Sequence, residues 1–156
     1  MKFPENFKVV PIMVEGNMTS DIYSDSINMK NYHHATFICQ FGTLGTASSV
    51  FKITSGAAVD TYTTEETFDY AFGGAAVGSA LADVLAASAS SAALTVTYGT
   101  YSDYVLVAEI DASAMTDGQE WLSIFFDDPG TATGTATIIA ILEPRYTGNR
   151  SATALA

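Results

Sequence analysis

The chain has 156 residues, enough for one domain, and a domain near that size removes roughly 70% of its unfolded surface from water, so no metal or disulfide is needed to hold it. Hydrophobic residues at 48% against charged residues at 15% exclude intrinsic disorder. With 17 acidic and 6 basic side chains and a formal net charge of -11, the composition argues against nucleic acid and against an anionic membrane surface as partners, and supports solubility or docking to a basic protein surface.

Read in chain order, the elements are short β-branched and aromatic runs bounded by Gly, Asp, Asn and Pro. The first predicted strand covers residues 8–14, and Pro11 inside it cannot donate to a ladder, which places that strand at a sheet edge or at a bulge. The second covers 35–41; its Ala35, Phe37, Cys39, Phe41 set is wholly apolar, so that face goes to the core. GTLG at 42–45 reads as a hairpin turn before a third strand at 47–54, and a fourth lies at 67–72. The Ala/Gly/Ser-rich span 73–93 reads as a small-residue loop region. Within it, Leu81, Val84 and Leu85 at i, i+3, i+4 spacing fit a short helix over 78–87, while their small-residue flanks fit a loop. A shorter helical candidate lies at 112–115.

Strands at 93–98, 104–110, 120–127 and 133–142 bring the predicted total to eight. In the last of these, ATIIAILE is mostly apolar on both faces until Glu143, so it is expected to be covered on both sides, by a second sheet or by another subunit. The absence of long helices between strands gives the fold class: all-β, an antiparallel sandwich or jelly-roll-like barrel with at most one or two short helices. One β domain is expected over 1–144. The tail 145–156, RYTGNRSATALA, carries Arg145 and Arg150 without a periodic pattern and is expected to be ordered by a partner.

Candidate chemistry is sparse. Lone Cys39 cannot form an internal disulfide and reads as a small core hydrophobe. Adjacent His33 and His34 on a strand point to opposite faces and cannot easily chelate one ion; a metal reading would need Asp21 or Asp25 to join them. They read as a polar strand rim with ring nitrogens bonded to backbone or water. No G-x-S-x-G stretch accompanies a base, and GTLG lacks the Lys and Ser/Thr of a phosphate loop. Acidic candidates for glycosidase-type chemistry are the pairs Glu65 with Glu66 and Asp127 with Asp128, and Asp69. Against this, DDPG at 127–130 reads as a turn, and the two glutamates as part of a polar loop. DASAMTDGQE at 111–120 puts Met115 where an EF-hand needs an oxygen ligand, and reads as a tight inter-strand connection. Tyr98, Tyr101 and Tyr104 could stack on a sugar ring, the basis of an alternative reading as a carbohydrate-binding or adhesin-like module. No export signature and no bilayer-length apolar run occur, which suggests synthesis in a reducing cytoplasm.

The sequence KVVPI at 8–12, KNYHHATF at 30–37, EIDASAM at 109–115 and ILEPRY at 141–146, ending in SATALA, resembles the head decoration, or cement, proteins of tailed bacteriophages. It departs from that pattern in the Ala/Ser-rich stretch 86–93. The resemblance implies a β-rich, non-enzymatic virion protein on the capsid exterior, bound to the major capsid protein in many copies, with a homo-trimer favoured and no cofactor, metal, nucleic acid or membrane involved. Arg145, Tyr146 and Arg150 in the tail, with Val10 and Pro11 on the edge strand, are the expected partner contacts, arginine and tyrosine being enriched at interfaces.

Overall fold

A computed structural model describes residues 2–128, 130–148 and 151–156. After a single helical turn, α1 (Phe3–Asn6), the order is β1 (Lys8–Asn17), β2 (Ile22–Tyr23), β3 (Ile27–Asn28), β4 (Tyr32–Phe41), β5 (Ser49–Gly56), β6 (Thr64–Glu66) and β7 (Phe68–Phe72). Then come β8 (Ala89–Ser91), β9 (Leu94–Val96), a second turn α2 (Tyr98–Tyr101), β10 (Val105–Asp111), β11 (Trp121–Asp127) and β12 (Thr135–Pro144). The strands form two antiparallel sheets packed as a sandwich. Sheet A runs β1-β12-β4-β10-β7-β8, and sheet B runs β2-β11-β5-β6, with β3 pairing β11 and β9 pairing β5. Among the described residues no helix is long and apolar enough to cross a membrane.

The alternation read from the sequence sets which side chains fill the space between the sheets. Ala35, Phe37, Cys39 and Phe41 of β4 face inward and are buried, as are Leu106, Ala108 and Ile110 of β10 and Ala136, Ile138, Ala140 and Leu142 of β12. Sheet B answers with Phe51, Ile53, Leu122, Ile124 and Phe126. Aromatic rings tie the layers edge to face: Phe51 of sheet B lies 5.4 Å from Phe68 of sheet A, and Phe126 lies 6.1 Å from Phe41. Such contacts add about 0.5–1.5 kcal/mol each beyond area burial.

Pro11 behaves as its chemistry demands: β1 is the edge of sheet A, and its register with β12 shifts between Pro11 and Met13. Several expectations are corrected. GTLG is no hairpin, because β4 and β5 belong to different sheets; the segment crosses the sandwich, with Leu44 buried and Gly45 bridged to Thr133. Gly134, at φ 138, passes so close to Leu44 that a Cβ there would overlap its side chain. The spans 78–87 and 112–115 form turns, not helices. In the first, Leu81, Val84 and Leu85 are exposed: the helical spacing marks no buried stripe, and the backbone instead bonds locally, with Ala86 N–H donating to the Phe72 carbonyl and the Val84 carbonyl accepting from Gly74 N–H. Glu65 and Glu66 sit in β6, not in a loop.

The tail folds back on its own domain. Ala154 is buried in the core cluster, its carbonyl accepts the Asn28 backbone N–H at 2.8 Å, and Leu155 packs alongside.

Candidate functional site

The two outer faces of the sandwich differ in kind. That of sheet B is closed by its own chain. Buried Thr54 and Ser123 lie beneath Ser26, whose hydroxyl is 2.8 Å from that of Ser123 and donates to Asp60 at 3.1 Å. Beside them Tyr62 stacks on Tyr23 at 3.9 Å and Tyr23 on Phe125 at 4.2 Å, and burial raises both phenols above their ordinary values. Lys52 completes this cover, donating to Glu65 at 2.8 Å and Asp127 at 3.0 Å with its ammonium 5.6 Å from the Phe125 ring. These bonds, to Glu65 first, hold the ammonium above its ordinary value, burial opposing them. No sequence signal announces this cluster, since its members are brought together by pairing of β2, β5, β6 and β11.

The outer face of sheet A has no such cover. Strand register aligns Pro11, Ile139, Ile38, Val107 and Ala71 in one row across β1, β12, β4, β10 and β7. Directly paired residues in antiparallel strands share a face, so this is a continuous apolar strip. Val9 and Ile141 extend it one row over, opposite Thr36, Glu109 and Asp69. Ile139 is 39% exposed and Val9 45%, while Ile38, Val107 and Ile141 are half-buried. The apolar outer side of β12 was expected to be covered; among the described residues Ile139 stays exposed. Val10, expected among the contacts, is 3% exposed and lies opposite Ala140 inside the sandwich, so β1 presents Val9 and Pro11 instead.

Toward one end the strip gives way to charge. His34 is in register with Asp111 on one side and Glu143 on the other, and its Nδ1 lies 2.8 Å from Asp111 Oδ1. A carboxylate can only accept, so Nδ1 carries the proton. A groove of about 270 Å³ here is lined by His34, Thr67, Asp69, Glu109 and Asp111. It holds acid–base groups, but among the described residues neither histidine is hydrogen-bonded to a hydroxyl or thiol. Nor does any group of three His, Cys, Asp or Glu side chains gather as an ion cage among those residues. His33 and His34 do form the rim of β4, as expected, and the Nδ1 partner of His34 is a carboxylate of the neighbouring strand β10. Cys39 lies on the opposite face of the sheet, fully buried, its thiol pushed far above the ordinary range by burial.

The acidic pairs are used structurally. Glu66 is buried and accepts from Ser55 Oγ at 2.6 Å, Thr116 N at 2.9 Å and Thr116 Oγ1 at 3.3 Å, while Glu65 points outward to Lys52. Asp128 Oδ1 accepts from Ala132 N, and Asp128 N donates to Asp21. Asp69 accepts from Ser90. Of the three tyrosines, Tyr101 stacks on Phe72 at 3.7 Å and meets Tyr104 edge-on, which leaves Tyr98 exposed and no shared open platform.

In the tail, Arg145 Nε donates to the Tyr32 carbonyl at 3.0 Å, and Tyr146 is 75% exposed beside a groove of about 360 Å³ that it shares with Glu5, Phe7 and Glu143. Arg150 lies outside the described residues.

Comparison with protein-family models, curated proteins and solved structures gave no match to this chain.

Proposed function

We propose that this chain is a virion structural protein that decorates and stabilises a bacteriophage capsid by protein–protein contact in many copies. The observation that carries the reading is the apolar row Pro11, Ile139, Ile38, Val107, Ala71, exposed at Pro11 and Ile139 and half-buried at the other three, on a face that no second layer of the described residues covers. Contiguous exposed apolar surface on a stable domain marks an interaction site. The resemblance noted in the sequence supplies the partner, the major capsid protein, and a trimeric arrangement of copies. The acidic surplus keeps many unassembled copies apart in solution. Mechanistically, a domain that binds across joints of the assembled shell, and not its free subunits, shifts the equilibrium toward the shell by mass action. Arg145 and Tyr146, both at the surface, are suited to add tail contacts. No reacting group is required.

The test is direct. Particles released from lysing cells that carry the gene are purified on a density gradient and quantified by mass spectrometry. The chain is expected in numbers comparable to the capsid subunit. Its absence from particles would overturn the reading, and unchanged occupancy after truncation beyond Pro144 would remove the tail from it.

A further inference from the structure

We infer that the outer face of sheet A docks a partner that presents an apolar strip bordered on one side by lysine or arginine; this rests on the contact reading above and specifies the partner's chemistry. The face has a direction. Moving along the strands from the central row, the next rows place Glu109 opposite Asp69 and then Asp111 and Glu143 on either side of His34. The other way lie uncharged Thr137, Gln40 and Val105, with Glu15 of the β1 bulge donating its backbone N–H to Thr137 Oγ1 at 3.1 Å. No lysine or arginine among the described residues falls on any of these rows. The surface is therefore an apolar band with Asp69, Glu109, Asp111 and Glu143 gathered along one border against Glu15 at the β1 end of the other, and a complementary surface repeats that bias with cations.

At the β7 end the band runs into a shallow groove of about 220 Å³ where Leu85 and Ala86 approach Ala71 and Val107, with Asp69 and Glu109 at its lip. A lysine stem laid in that groove would bury its methylenes against the aliphatic wall and bring its ammonium to the carboxylates. A second copy of the chain fits poorly. Its matching face offers no cation, and each copy has a formal charge of -11.

Full-length protein labelled for NMR is titrated with hexylammonium, hexanol and hexanoate as chemical stand-ins for the three kinds of contact. Hexylammonium is expected to move the amide signals of Ile38, Ala71, Val107 and Glu109 most, hexanol less, and hexanoate least. Equal shifts with hexanoate, or shifts spread over the whole surface, overturn the inference. Sedimentation velocity is run alongside: concentration-dependent dimers that vanish in Val107→Lys would make the occupant a second copy and overturn it as well. The variant Asp69→Lys/Glu109→Lys, checked for folding by circular dichroism, is expected to lower occupancy on particles roughly tenfold. If the wild-type chain is on particles but that variant binds equally well, the chemistry assigned here fails while the decoration reading stands. If hexylammonium maps to the strip but the chain is absent from particles, the reverse holds.

Discussion

Replacing Glu66 separates a clamp from a reacting group. Its carboxylate sits at the edge of the core, 4% exposed, with Oε1 shared between the Ser55 hydroxyl and the Thr116 backbone N–H. Hydrogen bonds to a charged acceptor contribute about 1.5–3 kcal/mol each, and an orphaned buried donor costs about 1–3 kcal/mol. Ser55 is fully buried and has no water to turn to, whereas Thr116 is exposed and can rehydrate. Relief from dehydrating a carboxylate offsets part of the loss. Glu66→Ala should therefore cost about 2–3 kcal/mol, which for a domain of this size lowers Tm by roughly 4–12 °C. Glu66→Gln keeps an acceptor for Ser55 and should cost only about 1 kcal/mol. Urea denaturation monitored by Trp121 fluorescence gives both values. If Glu66→Ala unfolds within about 0.5 kcal/mol of the wild type, no more than an ordinary surface substitution produces, the clamp assignment is wrong and a functional role for this acid reopens.

Lys52→Met should destabilise by about 1 kcal/mol at neutral pH, since the partners Glu65 and Asp127 are themselves half-exposed. Because the folded ammonium titrates above its ordinary value near 10.5, the wild-type advantage is whole below that pH and fades as pH rises through the elevated folded value; urea midpoints of both proteins from pH 8 to 11 should converge only at the alkaline end. Cys39 should resist a thiol reagent in the native protein and react once in denaturant, given its burial and raised thiol; rapid labelling of the native state would place the cysteine elsewhere.

What could be read in advance was what alternation encodes. The cores of β4, β10 and β12 follow from period-two patterning over seven or more residues, and Pro11 alone predicts an edge or a bulge for β1, which has both. Two- and three-residue strands such as β2, β3 and β8 carry too few residues to show a period, which is why eight predicted strands become twelve among the described residues. Leu81, Val84 and Leu85 mislead because apolar spacing counts as helical only when a core is there to receive it. The apolar strip was half visible. Apolar outward residues on β12 and β10 could be read, but their alignment with Pro11, Ile38 and Ala71 depends on which strands become neighbours. The pair of His34 with Asp111 joins residues 77 positions apart and has no local signature.

The place of β12 between β1 and β4 has a consequence during synthesis. Among the described residues β1 has no other strand neighbour in its sheet, so after it leaves the ribosome it waits for roughly 120 more residues, some 6–24 s at ordinary elongation rates. Throughout that interval the facing borders of β1 and β4 lack the strand that will fill the space between them and are open to stray pairing, so yield of folded protein should rise when synthesis is slowed or chaperones are supplied.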